Sequence, residues 1–312
     1  MRTIAITGIS GYIGNQLLQR LNKQDSVETI IGIDIKPPRT ASSKLRFYSR
    51  DICEPFSDIF VNNKVDSAIH LAFAVKPTHN YAGAHRTDID GVKNFLNACR
   101  QASVEHLLYM SSNTAYGPHP DNPVPLTEES PLRPIPSFQY SRDKGEADMI
   151  CQDFAKQNPN IRITIVRFCP VLGPNGESTV GAGMFRSVMM RLTGYDPQFQ
   201  FIHEDDVTEV FLTLLNQKQA GIFNAGGDGW LNYKEVIAAT GKRCIVLPAA
   251  LISPVLSITW ALRLQSQSPP SGLEFIKYPM VLSTDKLKKA TWFKFHYSSR
   301  ETLMSYLSAQ KH

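Results

Sequence analysis

Short apolar runs alternate with amphipathic stretches along the first half of the chain. The apolar runs are rich in β-branched residues, which is typical of strands buried on both faces of a parallel sheet. The stretches between them carry apolar residues at helical spacing. The pattern predicts strands at 3–7, 28–34, 66–74, 105–112 and 161–168, and helices at 12–24, 91–102 and 140–157. This alternation predicts βαβ units and a doubly wound parallel sheet, an α/β fold of the Rossmann type.

The pattern loosens after Pro170, where glycine and proline cluster in a predicted loop at 169–183. Beyond it the pattern predicts a helix at 184–192, a strand running into a helix at 201–217, and a strand at 221–227. We therefore expect a Rossmann domain at 1–172 and a smaller C-terminal α/β substrate-binding region at 173–312. About 201–226 is expected to return to the Rossmann core.

Composition narrows the class of protein only slightly. The chain has 312 residues, 42% of them hydrophobic, and a formal net charge of +5 without any long basic run, so nucleic acid is not an expected partner. A mildly positive surface suits an anionic small molecule, although ordinary surface charge explains it better. The 5 cysteines lack metal-ligand spacing, so no metal site is predicted. Scattered thiols without a signal peptide predict a cytoplasmic location.

Three glycines, Gly8, Gly11 and Gly14, lie between the first strand and the first helix. Glycines at such a turn admit a close ligand, and the following helix N-terminus suits a pyrophosphate. Asp34 ends the second strand, where a carboxylate can accept the ribose hydroxyls of an adenosine. That carboxylate repels a 2′-phosphate, so NAD is predicted over NADP. Lys36 and Arg39 could instead bind the phosphate, although solvated loop charge is the simpler interpretation.

A second group of residues has acid–base character. Tyr140 and Lys144 lie four residues apart on a predicted helix and therefore share one face. An ammonium beside a phenol lowers the phenol pKa, which allows a tyrosine to move protons near neutral pH. Ser111, Ser112 and Thr114 lie at the carboxyl end of a predicted strand, where open α/β sheets bind their ligands.

The order of these motifs resembles the extended short-chain dehydrogenase/reductase family, and within it the NAD-dependent epimerase/dehydratase group. The resemblance covers about residues 3 to 226. It rests on "TGISGYIG", "DIC", "HLAFA", "YMSSNTAYG", "YSRDK", "RFCPVLGP" and "FIHEDDV".

The resemblance implies roles for the matching positions. Tyr140 would be the general acid/base, Ser112 would assist it, and Lys144 would hold the nicotinamide ribose and keep the tyrosine pKa low. The resemblance also implies which residues bind the cofactor. Besides Tyr140 and Lys144, they are Gly8, Gly11, Tyr12, Ile13, Gly14, Asp34, Asp51, Ile52, Leu71, Ala72, Pro170 and Val171.

Several positions depart from the pattern of the family. Asn113 and Thr114 follow Ser112 in place of the Asp-Glu pair of dehydratases, which disfavours dehydration. Pro170 and Phe199 stand where nucleotide-sugar members usually carry a substrate-binding Asn and Arg. Asp88 replaces a further Asn. The lost contacts could be replaced by two arginines of the predicted helix, Arg186 and Arg191.

These observations predict an enzyme that transfers a hydride at a secondary alcohol of a nucleotide-sugar-like substrate, as a 4-epimerase does. The alternative is an NAD(P)-dependent alcohol dehydrogenase or ketoreductase on a lipophilic or non-nucleotide substrate, as in the hydroxysteroid dehydrogenase branch. A cofactor-binding regulator without catalysis is a third hypothesis, against which the intact Ser112, Tyr140 and Lys144 argue. The resemblance also suggests a homodimer.

An uncharged apolar segment at 245–262 allows three interpretations. It could pack as a helix against the substrate region or a dimer partner, cover a lipophilic substrate as a lid, or anchor the chain at a membrane surface. Pro248 and Pro254 interrupt the segment, and its length is marginal for crossing a bilayer. Packing is the interpretation that we favour from sequence.

Overall fold

The computed structural model describes residues 2–176, 188–265 and 269–310 of the chain. Its strands are β1 Arg2–Thr7, β2 Val27–Asp34, β3 Leu45–Ser49, β4 Ser67–His70, β5 His106–Ser112, β6 Arg162–Phe168, β7 Val171–Leu172, β8 Val188–Leu192, β9 Gln198–Phe199, β10 Ile202–His203, β11 Gly221–Ala225, β12 Leu231–Asn232 and β13 Arg243–Leu247. Its α-helices are α1 Tyr12–Asn22, α2 Ser57–Asn62, α3 Tyr81–Gln101, α4 Gln139–Gln157, α5 Glu204–Asn216, α6 Tyr233–Thr240, α7 Ala249–Ala261, α8 Asp285–Thr291 and α9 Ser299–Ala309.

A seven-stranded parallel sheet forms the centre of the molecule, with the strand order β11-β6-β5-β4-β1-β2-β3. The chain runs outward from β1 through β2 to β3, then crosses back to β4 on the other side of β1. The strand order therefore reverses between β1 and β4, and ligands of such sheets bind outside the carboxyl ends of the strands at that point. The predicted fold class is confirmed.

Helices cover both faces of this sheet with apolar side chains. On one face, α1 and α5 enclose a cluster that includes the fully buried Leu17, Leu21 and Phe211. On the other face, α2, α3 and α4 enclose a second cluster that includes Phe60 and Phe95. Two-sided burial explains why the strands read as continuous apolar runs rather than as alternating ones.

The structure differs from the predicted elements in several places. The strand β3 and the helix α2 were not predicted, α3 begins at Tyr81 rather than at residue 91, and β4 ends at His70 rather than at residue 74. The predicted helix at 184–192 is wrong for 188–192, which form β8, while 184–187 lie outside the described residues. An apolar run this short fits a strand and a helix equally well, and pairing with β13 decides between them.

The residues after 188 return to the sheet and also form small sheets of their own. The edge strand β11 pairs with β6 in the main sheet, and Val207 and Phe211 of α5 lie in the same apolar cluster as α1. The pairs β7–β10, β9–β12 and β8–β13 form separate two-stranded sheets. Among the residues that the structure describes, no helix has the length and apolar character that crossing a membrane requires.

Candidate active site

The glycine loop between β1 and α1 has no room for side chains. Gly8 has a φ of +74°, and a Cβ there would lie 2.6 Å from the backbone nitrogen of Ala72. A Cβ on Gly14 would overlap the carbonyl oxygen of Gly8. The amide of Gly11 donates a hydrogen bond of 3.1 Å to that same oxygen. The loop therefore brings bare backbone to the edge of the sheet, beside the end of β4.

The N-terminus of α1 behind this loop is open to an anion. Gly11 is its N-cap, is exposed, and provides no side-chain cap, and the first turn contains no acidic residue. The first amides of the helix and the positive end of its dipole thus point at the loop without a partner side chain at the cap. These features fit a pyrophosphate group.

The carboxylate of Asp34 lies at the end of β2, next to the glycine loop. One oxygen accepts a hydrogen bond of 3.0 Å from the amide of Ser10, and the other accepts one of 2.8 Å from the amide of Ile35. Each oxygen keeps a further lone pair, so the side chain is held in position with acceptor capacity for a ribose diol. Lys36 and Arg39 are exposed on the following loop.

The remaining cofactor positions lie at the carboxyl ends of neighbouring strands. Leu71 donates its amide to the carbonyl of Thr7 at 3.1 Å, and Ala72 abuts Gly8. Pro170 follows β6 and accepts a hydrogen bond of 3.1 Å from the amide of Ile202. Its neighbour Val171 starts β7. On the far side of the sheet, after β3, the structure places Asp51, which is exposed, and Ile52, which is buried.

Tyr12 and Ile13 occupy the first turn of α1, and the Tyr12 side chain has a partner that sequence reasoning missed. Its hydroxyl donates a hydrogen bond to the carboxylate of Glu204, which is buried and also accepts one of 2.6 Å from Asn175. Burial and this carboxylate raise the pKa of Tyr12 well above its usual range. The contact ties α1 to α5 across the glycine loop. The acid-rich "HEDD" start of α5 was its only signal in the sequence.

Ser112 and Tyr140 meet at the carboxyl end of β5. Tyr140 is half-buried at the start of α4 and lies near enough to Ser112 for that serine to act against the rise of the tyrosine pKa. The Ser112 oxygen accepts hydrogen bonds from the amide of Thr114 at 3.2 Å and from its hydroxyl at 3.0 Å. Since both of those contacts use acceptor capacity, the serine proton is free to be donated to the tyrosine oxygen.

Lys144 lies beneath this pair, one helical turn further along α4. Its ammonium is buried, donates a hydrogen bond of 2.7 Å to the carbonyl of Met110, and lies 3.5 Å from the ring centroid of Phe73. The same Phe73 ring meets Tyr140 edge to face, with centroids 5.7 Å apart. Phe73 thus packs against both members of the predicted pair, which no spacing in the sequence indicated.

The expected lowering of the tyrosine pKa is not what the structure shows. Burial raises the pKa of Tyr140 to about 12, with Ser112 acting in the opposite direction. The Lys144 nitrogen lies 5.9 Å from the Tyr140 ring centroid and is directed to Met110. Burial also lowers the pKa of Lys144. A buried ammonium costs free energy, and its pKa falls until a counter-charge compensates.

That counter-charge is Asp88, the residue that departs from the family's Asn. It is fully buried on α3, where it accepts a hydrogen bond of 2.6 Å from the amide of Ala74 and one of 2.9 Å from Gln139. Burial raises its pKa and the charge of Lys144 lowers it, while Asp88 raises the pKa of Lys144. The two groups therefore stabilise each other's charged forms.

The hydrogen bonds continue from Gln139 to the protein surface. Gln139 also donates to Asp143 at 2.8 Å, and Asp143 accepts from His85 at 2.9 Å and from Arg142 at 2.8 Å. His85 and Asp143, with Glu146, bring three ligand-type atoms within 4.8 Å of one another. Within this cluster, Asp143 is paired with both His85 and Arg142.

The space around these groups is of two kinds. An open cleft of about 530 Å³ lies between the loop after β4 and the N-terminal half of α3. Next to it, a narrow pocket at Tyr140 is lined largely by aromatic rings and prolines, among them Phe138, Tyr81 and Trp260. Trp260 belongs to α7, so the apolar helix reaches the candidate site.

The positions where nucleotide-sugar members carry Asn and Arg are apolar in this structure too. Phe199 stacks on Tyr233 with ring centroids 5.1 Å apart and lies beside Phe201. Arg191 is half-buried on β8, and Arg186 lies outside the described residues.

The parallel sheet and the glycine loop are typical of an α/β enzyme that binds a dinucleotide. Ser112, Tyr140 and Lys144 lie near the same edge of the sheet. A family model described as "NAD dependent epimerase/dehydratase family" matches residues 4–226, and the chain belongs to that family. Membership confirms the predicted family, the enzyme class and NAD as the family's cofactor.

Known relatives are similar over much of the chain. An uncharacterized protein of Mycobacterium tuberculosis is 23% identical over 98% of this chain and 83% of its own length. The human dTDP-D-glucose 4,6-dehydratase is 25% identical over 79% of this chain and 74% of its own. The UDP-glucose 4-epimerase of Lactobacillus helveticus is 27% identical over 57% and 54%.

Solved structures share the fold. The UDP-glucose 4-epimerase of Thermotoga maritima, solved with UDP-glucose, superposes with a TM-score of 0.76 at 20% identity, covering 99% of this chain and 98% of the other. MoeE5 in complex with UDP-glucuronic acid and NAD gives a TM-score of 0.77 at 20% identity, covering 99% of each chain.

Proposed function

We propose that this enzyme binds NAD and transfers a hydride reversibly at a secondary alcohol of a nucleotide-sugar-like substrate, as a 4-epimerase does. The observation that carries the proposal is the grouping of Tyr140 and the buried Lys144 around Phe73, with Ser112 nearby, at the carboxyl edge of the sheet beside the glycine loop. The family relationship and the relatives that act on UDP- and dTDP-sugars support the substrate class.

The cofactor would lie along the carboxyl edge of the sheet. Gly8, Gly11 and Gly14 would receive the pyrophosphate at the start of α1, and Asp34 would accept the adenosine ribose hydroxyls. Bound NAD supplies a nicotinamide ring that accepts a hydride and can return it. The cleft between them would be lined by Tyr12, Ile13, Asp51, Ile52, Leu71, Ala72, Pro170 and Val171.

Three side chains of this protein would handle the proton. Tyr140 would take the proton from the substrate hydroxyl, and Ser112 would stabilise the phenolate oxygen and the developing carbonyl by donating its own proton in a hydrogen bond. Lys144 would supply positive charge and hold the nicotinamide ribose. Burial raises the pKa of Tyr140 to about 12 while Lys144 is directed to Met110, so the ammonium would have to turn toward the phenol to make the phenolate accessible near neutral pH.

One group of observations favours a second candidate, a dehydrogenase or ketoreductase for a lipophilic substrate. Pro170 and Phe199 remove two polar contacts to a nucleotide diphosphate, and Phe199 is packed among aromatic rings. The pocket at Tyr140 is lined by Phe138 and Trp260. In this reaction the ketone would leave, whereas an epimerase would retain it, turn it and reduce its other face.

The two candidates differ in whether reduced cofactor accumulates. The protein should be incubated with NAD and UDP-glucose or UDP-galactose, and the sugar followed by proton NMR while nicotinamide absorbance is recorded. Interconversion of the sugars without net reduced cofactor supports the 4-epimerase. Reduced cofactor that forms in step with a lipophilic secondary alcohol, and no change in either sugar, supports the dehydrogenase.

The other expectations stay part of the proposal. Residues 173–312 would supply the substrate-binding region, with 201–226 completing the Rossmann domain of 1–172. We expect a homodimer, and a cytoplasmic location in keeping with five free cysteines.

A further inference from the structure

The helix α7 presents an apolar stripe to solvent. Leu251, Val255, Ile258 and Leu262 follow one another at helical spacing, and each is between 58% and 64% exposed. Another side of the helix packs on the protein, where Ile252 is the one buried residue of the helix. The packing that the sequence favoured for 245–262 is therefore confined to one side of the helix.

The apolar surface extends beyond the helix on both sides. Ile245 and Val246 of the preceding strand β13 are 48% and 44% exposed, and Leu264 after the helix is 72% exposed. Large exposed aliphatic side chains concentrated in one segment mark a binding site, because monomers in water rarely leave an extended apolar patch uncovered.

The segment that carries this surface has charges of one sign. No acidic residue occurs between Glu235 and Glu274, and the cations of this stretch are Lys242 and Arg243 at the start of β13 and Arg263 after α7. All three are exposed, and none forms an ion pair with a residue that the structure describes. An isologous contact with a second copy would bring these cations together, whereas an anionic partner would attract them.

The polar side chains on the helix are compatible with an apolar environment. The hydroxyl of Ser257 donates to the carbonyl of Ser253 at 2.9 Å, and that of Thr259 donates to the carbonyl of Val255 at 2.8 Å. With these two donors satisfied inside the helix, contact of Ser257 and Thr259 with hydrocarbon leaves neither hydroxyl proton unpaired.

We propose that α7 and β13 dock onto the surface of an anionic phospholipid bilayer. The 13 residues of α7 span about 20 Å, less than the roughly 30 Å of a bilayer's hydrocarbon core, so the helix lies in the interface rather than across it. Its apolar stripe enters the acyl boundary while Lys242, Arg243 and Arg263 contact the headgroups.

Docking of this kind places the candidate pocket beside the bilayer. Trp260 leaves α7 on the protein side, donates a hydrogen bond of 2.9 Å to Tyr81 and stacks on His79. Trp260 and Tyr81 both line the pocket at Tyr140. The membrane surface proposed here stands independently of the reaction proposed above.

The test is flotation of the full chain with vesicles of phosphatidylcholine alone or with phosphatidylglycerol added. We expect binding to the anionic vesicles that weakens with salt. Val255→Ser/Ile258→Ser should reduce it about tenfold to a hundredfold through lost apolar burial. Lys242→Gln/Arg243→Gln/Arg263→Gln should reduce it about tenfold or more. All variants should unfold at the wild-type temperature, because they alter exposed side chains.

Matched variants elsewhere distinguish this surface from general stickiness. Val61→Ser/Met149→Ser alters exposed apolar residues of α2 and α4, and Lys23→Gln/Lys93→Gln/Arg100→Gln alters exposed cations, and both should bind as the wild type does. Absence of flotation, equal binding to uncharged vesicles, or equal loss in the matched variants would overturn the proposal. So would a wild-type dimer in sedimentation velocity that Val255→Ser/Ile258→Ser dissociates, since a second copy would then cover the stripe.

Discussion

The central sheet and the region after residue 188 differ in where their side chains find partners. At the carboxyl end of β5, Ser111 donates to Asp148, and Asp148 pairs with Arg167, all of them buried. Along α7 and its C-cap Leu262, four large aliphatic side chains lie in solvent instead. This buried group of the sheet pairs its charges with one another, whereas the later region exposes apolar surface. The residues of the candidate site lie in the first region, and so do most departures from the pattern of the family, whereas Phe199 and the exposed apolar helix belong to the second.

The largest effect is expected at the catalytic contact of the sheet region. Tyr140→Phe removes the proton-transferring oxygen, so turnover should fall by about 10²- to 10⁴-fold. NAD binding and the unfolding temperature should hardly change. Steady-state kinetics measures the loss, with Tyr48→Phe as the control because its hydroxyl bonds only to Asn63 at the sheet edge. Full activity of the phenylalanine variant would assign the proton transfer to another group.

The contrast between the regions predicts a large difference in how ion pairs affect stability. Arg167→Met leaves Asp148 buried without its cation, which should lower the free energy of unfolding by about 3–5 kcal/mol. Arg300→Gln in the later region breaks an exposed pair with Glu235 and should cause no measurable change. Denaturant titration of both variants compares them. Equal effects would show that the sheet region does not depend on this buried pair.

Cofactor choice tests the end of β2. Asp34→Ala removes the acceptor for the ribose hydroxyls and the charge that repels a 2′-phosphate. NAD should bind about tenfold to a hundredfold more weakly, while NADP should bind more tightly than to the wild type. Calorimetric titration with both dinucleotides measures this change. Exposed Asp58→Ala serves as the control, and an unchanged preference in the Asp34 variant would place the adenosine elsewhere.

The smallest effect concerns the buried pair beneath the site. Asp88 raises the pKa of Lys144 against burial, so Asp88→Asn should lower that pKa. If activity needs the ammonium, it will be lost at a lower pH than in the wild type. The alkaline limb of the pH–rate profile should move down by about one unit. Asp153→Asn, on the exposed side of α4, should leave the profile unchanged, and an unmoved limb in the Asp88 variant would separate Asp88 from Lys144.

Much of the sheet could be predicted because most of its strands are recognisable from their own residues. The strands β1, β2, β5 and β6 each contain a run of buried apolar residues, because helices cover both faces of the sheet. Strand β3 was missed because it lies at the edge and alternates exposed and half-buried residues. The sequence of β8 by itself predicts a helix, and only its pairing with the distant strand β13 makes the extended conformation the stable one.

The candidate site likewise has residues that the sequence predicts and contacts that it does not. The positions of Gly8, Asp34 and Tyr140 follow from spacing, since each lies at a predictable end of an element. The contacts of Phe73 with Lys144 and of Tyr12 with Glu204 join residues far apart in sequence, and no local pattern encodes such partners. The exposure of α7 could not be predicted either, because an apolar sequence does not indicate whether protein, ligand or lipid will cover it.

Competition between the two dinucleotides tests whether the glycine loop and Asp34 bind NAD in preference to NADP. The protein is incubated with equal amounts of NAD and NADP, desalted and denatured, and the released nucleotide is identified by chromatography and mass. We expect NAD in stoichiometric amount, held at Gly8, Gly11, Gly14 and Asp34. Release of NADP, or of no nucleotide under conditions where the chain is folded, would contradict it.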